Sequence, residues 1–370
     1  MNNDPIGRYQ VALTHSTRLN NRQYLPLLER CGGMEGFFME KETLLKKLLA
    51  EGGMGTLKVD RESWLQQADR EMEIMLKEGI YLCSWESTHY PRLLTHCVDA
   101  PLILFFKGTL EASKAKTLAI VGTRKASERC KSRVDSFLKQ IAEMHYDPII
   151  ISGLAFGIDV AAHQAALHHG LVTRAVMGHG LHMVYPSQHR HIAEKIIAQG
   201  GCLISEYPTT TAILPVNFLQ RNRIVAGMSE AVLIAESATK GGAMATARQA
   251  FSYDRTVMAI PGRPDDRFSS GCNQLIKENV AALVEETGDL LRGLNWEIKK
   301  SRPFQTSLDL FAEPEKESLI IQILTEQGEQ HIDQLAILSD IPVAELSPLL
   351  LKLELEGVIV PLPGKYFTLL

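Results

Sequence analysis

The sequence predicts an α/β protein with a mostly parallel sheet, flanked by an N-terminal helical domain and a C-terminal winged helix. Between residues 116 and 291, short apolar runs alternate with segments of helical length, which is typical of a parallel sheet with helices on both faces. Residues 1–85 carry apolar residues at three- and four-residue spacing, and this spacing indicates helices. After residue 317, three short helical patterns precede two strand patterns, the order of a winged helix-turn-helix.

Composition and charge limit the classes of protein that fit. The chain has 370 residues, 45% hydrophobic and 22% charged, with a formal net charge of −4. These values are ordinary for a globular protein, and nucleic-acid binding would require a local basic groove. Six scattered cysteines form no CxxC pair, which argues against a zinc ribbon or a secreted disulfide framework. Because MNNDPIGRYQ lacks a signal-peptide apolar stretch and no apolar run reaches transmembrane length, we expect a cytoplasmic protein without membrane association.

Individual elements follow from these patterns. The predicted strands are 117–121, 148–152, 172–177, 202–205, 231–235 and 256–260, and the predicted helices include 24–33, 37–53, 61–80, 160–170 and 241–254. Residues 83–108 lead into the sheet through two proline turns. The predicted domains are a helical domain (1–85), a sheet domain (86–291), a charged, proline-containing linker (292–316) and a winged helix (317–370).

Two glycine-containing turns follow neighbouring apolar strands near the centre of the chain. They are Gly122-Thr123-Arg124-Lys125 and Ser152-Gly153-Leu154-Ala155-Phe156-Gly157. Small residues let the backbone approach a ligand and expose N–H groups at a helix start. Adjacent parallel strands end at the same edge of a sheet, where open α/β folds bind ligands. With Arg124 and Lys125 beside these amides, the sequence predicts a phosphate site.

Further basic and glycine-containing segments are expected at the same edge. Arg221-Asn222-Arg223 combines two guanidinium groups with an amide, and Lys240-Gly241-Gly242 begins a helix that carries Thr246 in its early turns. Several such segments suit a polymer with repeated phosphates. We expect Arg124, Lys125, Arg221 and Arg223 to bind phosphates, Gly153, Gly157, Gly241 and Gly242 to expose amides, Asn222 and Ser152 to donate hydrogen bonds, and Phe156 and Phe218 to stack on bases.

Enzymatic signatures are missing from the sequence. It contains no GxGxxG after the first strand, no GxxxxGK[ST] loop and no GxSxG elbow, so we expect no cofactor and no catalysis of those types. Asp159 and His163 share a helix face and could form an acid–base pair, but a helix-start carboxylate bonded to local N–H groups is favoured. Seven histidines fall between 163 and 191 without HExxH spacing. We expect no metal site, because His168 and His169 should point to different sides of a helix.

Two other functions stay open from the residues alone. The same cleft could serve a nucleotide or nucleoside-phosphate hydrolase that uses Asp159 or Glu236 as acid–base. Alternatively, the helical domain and the winged helix could act as an interaction scaffold. From Glu315 onward, three lysines against nine carboxylates give a net charge of −6. Because duplex binding depends on Lys and Arg, we expect this winged helix to contact protein rather than a DNA groove.

The central part of the chain closely resembles the DNA-processing protein A family, also called Smf, which acts in natural transformation. The matching stretches are HYPRLL (89–94), IVGTRKAS (120–127), ISGLAFGIDVAAHQAAL (151–167), VMGHGLHMVYP (176–186), ISEYP (204–208), RNRIVAGMS (221–229), GGAMATA (241–247), IPGR (260–263) and GCNQLI (271–276). The resemblance implies an extended Rossmann-like domain, an N-terminal helical (SAM-like) domain and, in many members, a winged helix. It also implies a non-catalytic homodimer that binds single-stranded DNA, protects incoming DNA and loads a RecA-type recombinase.

Three positions depart from the family pattern. His189 stands where the family commonly has Asn after the Tyr-Pro motif, Gly241-Gly242 replaces Ser-Gly, and Phe218-Leu219 replaces Phe-Pro before the RNR run. None of these changes removes a predicted phosphate-binding group.

Overall fold

The chain forms two compact units, Met1–Ile298 and Lys299–Leu370. The computed structural model describes residues 5–16, 21–52, 59–110, 116–296, 314–362 and 365–369. Of the predicted linker 292–316, residues 297–313 lie outside the described residues, as do Pro363 and Gly364 of the predicted turn.

The first unit begins with helices that pack against the sheet. They are α1 (Pro5–Thr14), α2 (Asn21–Arg30), α3 (Met34–Met39), α4 (Glu42–Glu51) and α5 (Arg61–Glu78). The longest, α5, begins where the Asp60 side chain accepts a hydrogen bond from the Ser63 N–H (3.0 Å), and it ends at Gly79 in the left-handed region. Phe37 of α3 and Trp64 of α5 are buried in one cluster with sheet residues such as Phe105. The predicted helical segment therefore shares its hydrophobic core with the sheet.

The sheet is large and mostly parallel. In the described residues it has nine strands in the order β1-β2-β6-β5-β4-β3-β7-β8-β9, with antiparallel pairing only for β1 with β2 and β2 with β6. The strands are β1 (Tyr81–Ser84), β2 (Ile103–Gly108), β3 (Thr117–Val121), β4 (Ile149–Ser152), β5 (Thr173–Val176), β6 (Cys202–Ser205), β7 (Ala231–Ile234), β8 (Thr256–Ala259) and β9 (Ala282–Leu283). This confirms the predicted fold class.

Helices cover both faces of the sheet. The helices are α6 (Arg92–Thr95), α7 (Glu128–Glu143), α8 (Ile158–His168), α9 (Arg190–Ala198), α10 (Pro215–Gly227), α11 (Gly242–Ser252), α12 (Ser270–Lys277) and α13 (Thr287–Gly293), with a 3-10 turn at Ser187–His189. Residues of α7, α8 and α13 share one cluster with Leu118 and Ile120, whereas residues of α10, α11 and α12 share another with Ala119 and Val121. Alternate residues of β3 point to opposite faces, so the sheet is the middle of three layers.

The predicted strands agree with the structure to within one residue at each end, but β1, β2 and the short β9 were not predicted. We expected residues 83–108 only to lead into the sheet. In fact β2 is an apolar run that pairs antiparallel with β6. Pro91 and Pro101 on its N-terminal side suggested turns, and the strand order that gives the run a partner is set by tertiary packing rather than by local sequence.

The second unit has the predicted winged-helix order. It contains α14 (Pro314–Gln327), β10 (Gln330–His331), α15 (Ile332–Ser339), α16 (Val343–Leu355), β11 (Ile359–Leu362) and β12 (Tyr366–Leu369). Its strands form an antiparallel sheet in the order β10-β12-β11. Across both units, no single described helix has the length and hydropathy to span a membrane; the strongly bent pair α15 and α16 meets those criteria only when combined.

Candidate nucleic-acid interface

The loops that follow β3 and β4 lie directly against each other at the carboxyl edge of the sheet. Gly157 has a φ of 82°, and a Cβ built on it would lie 2.1 Å from the Thr123 carbonyl oxygen and 2.8 Å from Arg124 Cα. A Cβ on Gly122 would lie 2.5 Å from Cγ1 of Ile158. Gly157 is therefore required by close backbone approach, and Gly122 by the Ile158 side chain that fills the place of a Cβ. The two predicted turns thus form one surface.

Replacing Gly157 with alanine is expected to separate these two loops. The left-handed backbone costs about 1–3 kcal/mol for a residue with a side chain, and the added carbon meets backbone atoms that cannot move alone. We expect a loss of at least this size in the free energy of unfolding, measured by denaturant titration. Gly242→Ala is the matched control, because an added Cβ there has nothing within 4 Å. Equal stability of the two variants would contradict this account.

The Asp159 carboxylate ties the two loops together from below. Burial raises the pKa of Asp159, whereas Arg221 and hydrogen bonds from the Ala155 and Gly122 N–H groups act to lower it. Each loop thus contributes one amide to a single buried carboxylate. The predicted helix-start role of Asp159 is confirmed. A consequence is that the amides of Gly122 and Ala155 face this carboxylate rather than a ligand.

Arg221, which we had predicted to bind phosphate, instead lies buried beneath the loop that follows β4. Its side chain is buried, the residue being 3% exposed, and Nη1 donates to the carbonyl oxygens of Gly153 (2.8 Å) and Val176. A Cβ on Gly153 would lie 2.4 Å from the guanidinium nitrogens. Helical phase explains the difference, because Arg221 shares the sheet-facing side of α10 with buried Ile224 and Val225. Arg221 therefore supports the loop after β4.

Arg223 is also engaged inside the protein. Its side chain is 17% exposed and pairs with the Glu206 carboxylate, itself 14% exposed. Asn222 lies between the two arginines, is half-buried, and accepts a hydrogen bond from Arg221 Nε at 3.2 Å. The RNR run thus joins α10 to the loops after β4 and β6 and to the last residue of β5, instead of presenting two free guanidinium groups.

The exposed rim consists of other predicted residues. Arg124 and Lys125 after β3 and Lys240 after β7 are exposed, and among the described residues their side chains make no hydrogen bond or ion pair. The Phe156 side chain is 45% exposed, and Gly242 opens on free space. Since β3, β4 and β7 run parallel, these groups lie along one edge of the sheet.

Several predicted contacts are buried below this rim. The Ser152 hydroxyl is buried and donates to the Ile120 carbonyl at 2.6 Å, which joins β4 to β3. Leu154 is fully buried with a φ of 58°, and Thr246 is buried on α11. A Cβ on Gly241 would lie 2.4 Å from Ser237 Oγ. Ser152, Leu154 and Thr246 are thus buried, and Gly241 is half-buried against Ser237, which differs from their predicted role as direct ligands.

His189 supports the exposed Phe156. Its Nδ1 lies 2.9 Å from the Leu154 carbonyl oxygen, and its ring meets the Phe156 ring edge-to-face at 4.8 Å. A donor at this nitrogen fixes the left-handed loop residue, a task that the amide of an Asn could also perform. The departure from the family pattern was the only sequence signal for this role.

Tyr185 is an exposed aromatic residue that was not predicted to contact DNA. It is 49% exposed and lies 5.8 Å from the Phe218 ring. The Phe218 ring packs over Gly178, where an added Cβ would lie 2.9 Å from Cδ1. Tyr185 follows β5 and thus belongs to the same edge, where its ring is an exposed aromatic surface in addition to Phe156.

The groups considered for acid–base chemistry are held in other contacts. The His163 Nδ1 lies 2.7 Å from Thr173 Oγ1, and Thr173 Oγ1 donates to the Ile150 carbonyl at 2.8 Å, so His163 is the donor in the first bond. Burial lowers the pKa of His163 to about 3. Glu236 accepts a hydrogen bond from the Ser127 N–H at 2.8 Å. His163 is therefore neutral near pH 7 and bonded to Thr173, not to Asp159.

Acidification is expected to destabilise the sheet unit through His163. Because its pKa is about 3 when folded and 6.5 ordinarily, the unfolded chain binds more protons between these values. The contribution of neutral His163 to the free energy of unfolding is complete above about pH 6.5 and is lost as the pH falls toward 3. The free energy of unfolding then changes by up to about 1.4 kcal/mol per pH unit. Denaturant unfolding of the wild type and His163→Gln between about pH 4 and 7 measures this slope. Parallel curves for the two proteins would contradict the assignment.

One histidine pair differs from the prediction. His168 and His169 do not diverge: their rings stack at 4.6 Å, and they lie 3.9 and 3.0 Å from Asp135 Oδ1. The helix α8 ends at His168, so the helical spacing that should separate them does not apply. The three possible ligand atoms lie within 4.8 Å of one another. Since α8 runs back from the loop after β4, this cluster is at the far end of the helix from the rim.

Comparisons with protein families cover both units. The family model described as DNA recombination-mediator protein A matches residues 81–295. A model of the DprA winged helix domain matches residues 309–365.

Related proteins are similar over most of the chain. Protein Smf of Escherichia coli K12 is 35% identical over 315 residues, which is 83% of this chain and 79% of that protein. DNA processing protein DprA of Streptococcus pneumoniae is 34% identical over 77% of this chain and 98% of its own. A crystal structure of the Streptococcus pneumoniae protein matches with a TM-score of 0.62 at 31% identity, covering 77% of this chain and 97% of that one. A structure of DNA processing protein A from Helicobacter pylori, described for its single-stranded DNA binding mode, matches with a TM-score of 0.51 at 26% identity, covering 58% and 97%.

Proposed function

Because this chain belongs to the DNA recombination-mediator protein A family, we propose that it is a non-catalytic protein that binds single-stranded DNA. The observation that carries this proposal is the rim of exposed cations on neighbouring loops, Arg124, Lys125 and Lys240, which have no partner among the described residues. Fixed positive charge along one sheet edge suits a chain of phosphates. The described binding of single-stranded DNA by the Helicobacter pylori relative supports the same function.

The proposed contacts divide between rim and support. Arg124 and Lys125 bind phosphates, and Lys240 with the open start of α11 at Gly242 binds a further one. Phe156 stacks on a base, an interaction worth about 1–3 kcal/mol that needs an unpaired, accessible base. Arg221 and Arg223 act as positioning residues through the carbonyl groups and the carboxylate that they contact. A preference for single strands follows, since a duplex hides the base faces.

We further propose that the protein works as a cytoplasmic homodimer that protects incoming DNA and loads a RecA-type recombinase during natural transformation. These finer roles rest on the family resemblance. The winged-helix unit fits a protein contact better than a DNA groove, because residues 315–370 carry nine carboxylates against three lysines. The domain arrangement predicted from the sequence, with the helical segment 1–85, the sheet domain 86–291 and the winged helix 317–370, is part of this proposal.

Fluorescence anisotropy with three competitors tests the function. We expect an oligo-dT of about 20 nucleotides to bind well, its duplex to bind weakly, and mononucleotides to compete poorly. The alternative, a nucleotide or nucleoside-phosphate hydrolase, predicts instead that a mononucleotide binds as tightly as the oligomer or that phosphate is released. Either result would overturn the proposal.

A further inference from the structure

A second cleft lies on the other side of the β3 loop from the β4 loop. It has a volume of about 690 Å³ and opens between the first turns of α7 and the loops that follow β7 and β8. Its walls include the side chains of Arg129, Arg133, Glu236, Arg263 and Glu285. None of these belongs to the rim described above.

The cleft lies at the point where the strand order reverses. From β3 the chain adds β4, β5 and β6 on one side, and from β7 it adds β8 and β9 on the other, with β3 and β7 adjacent. Open α/β sheets bind ligands outside the carboxyl ends of the strands at this switch point. Ser127, which follows β3, and Glu236, which follows β7, both line the cleft.

The cleft is lined by three arginines and three carboxylates. Within the described residues, Arg129, Arg133 and Arg263 make no hydrogen bond or ion pair. Two of the three lining carboxylates are already engaged: Glu236 accepts from the Ser127 N–H at 2.8 Å, and Asp266 accepts from the Phe268 N–H and the Ser269 hydroxyl, both at 2.9 Å. These neutral donors leave both carboxylates charged, so the three arginines and the three carboxylates balance in formal charge. None of the three guanidinium groups pairs with a carboxylate within the described residues, and their N–H donors stay available to a ligand. Guanidinium groups in such a set bind phosphate oxygens in pairs.

The cleft is continuous with the Arg124 loop. The Glu236 carbonyl oxygen accepts a hydrogen bond from the Thr123 N–H at 2.6 Å, while the carboxylate of the same residue accepts from Ser127. The single residue Glu236 therefore borders both the rim and the cleft. A single DNA strand that extends from Arg124 toward Glu236 would reach Arg129 and Arg133, which lie on the first turns of α7.

We propose that this cleft is a second phosphate-binding site, in which Arg129, Arg133 and Arg263 bind backbone phosphates of the strand held by Arg124. This inference rests on the proposed function. A free nucleotide carries the same phosphate chemistry, so the experiment must distinguish the two sources.

The test uses the full-length triple variant Arg129→Gln, Arg133→Gln, Arg263→Gln. Fluorescence anisotropy with an oligo-dT of about 20 nucleotides should show at least a tenfold loss of affinity and a salt slope smaller by about 2, since each lost contact to a single strand contributes about 0.7. An oligomer of about 4 nucleotides, which covers little more than the Arg124 loop, should lose much less. The matched control, Arg70→Gln, Lys195→Gln, Lys277→Gln, removes the same charge from exposed positions elsewhere in the sheet unit and should keep both affinities.

Three outcomes would overturn the inference. Equal binding by wild type and cleft variant at every length would show that the cleft does not bind the strand. Unchanged oligomer binding with loss of dTMP binding would assign the cleft to a free nucleotide. An equal loss in the control variant would reduce the effect to net charge. If the wild type binds no oligonucleotide, the proposed function fails as well. If the wild type and the cleft variant bind the oligonucleotide equally well, only the second site is rejected.

Discussion

Replacing Arg221 with alanine is expected to lower the free energy of unfolding by about 3–5 kcal/mol, the cost of leaving a buried charge without its partner. The guanidinium offsets the buried Asp159 carboxylate and donates to the carbonyl groups of Gly153 and Val176. Truncation leaves all three without that partner. Denaturant titration of the full chain measures the loss.

Two further variants separate support from direct contact with DNA. Arg221→Lys keeps the charge but cannot reproduce the planar arrangement of donors, so its stability should fall between that of the wild type and the alanine variant. Arg248→Ala removes an exposed arginine from α11 and should change stability by no more than about 0.5 kcal/mol. If the Arg221→Ala protein loses DNA affinity but keeps the stability of the wild type, Arg221 is a direct phosphate ligand, as predicted from the sequence alone.

Replacing Arg124 with alanine is expected to have the opposite pattern. The side chain is exposed and makes no hydrogen bond within the described part of the chain, so stability should stay within about 0.5 kcal/mol. A charge-assisted hydrogen bond to phosphate contributes about 1.5–3 kcal/mol, which corresponds to roughly a 10- to 100-fold loss of oligo-dT affinity. The slope of log affinity against log salt should flatten by about 0.7 for each phosphate released.

Anisotropy titrations between about 50 and 300 mM salt measure both quantities. Lys139→Ala is the matched control and should bind almost as the wild type does. Lys139 is an exposed cation late in α7 whose Nζ lies 3.8 Å from the Glu143 carboxylate. An Arg124→Ala protein with the affinity and salt slope of the wild type would remove the central contact of the proposed interface.

The arrangement of strands and turns could be predicted because each signal is local. An apolar run ending in glycine indicates a buried strand and its turn, and Gly122 and Gly157 are indeed at the contact between two loops. Asp159 was predicted correctly for a similar reason, since a carboxylate at a helix start finds N–H groups in its own vicinity. These conclusions need no knowledge of distant neighbours.

Other features depend on partners far away in the sequence. Which side of α10 carries Arg221 is a matter of helical phase, and both of its flanks contain apolar residues. The charge pairing of Arg223 depends on Glu206, and the pairing of β2 depends on β6. The second cleft exists only because β7 lies beside β3, and a strand order of this kind is set by packing of the whole sheet.

The contacts below the rim have a consequence for how a strand is captured. Gly157, Asp159 and Arg221 already hold the two central loops together before any ligand arrives. DNA binding then need not order mobile loops of the protein. Most of the conformational entropy lost on binding therefore comes from the flexible nucleic acid. Since the groups presented along this edge are cations, amides and ring faces rather than readers of base edges, the receptor should accept strands of any sequence with similar strength.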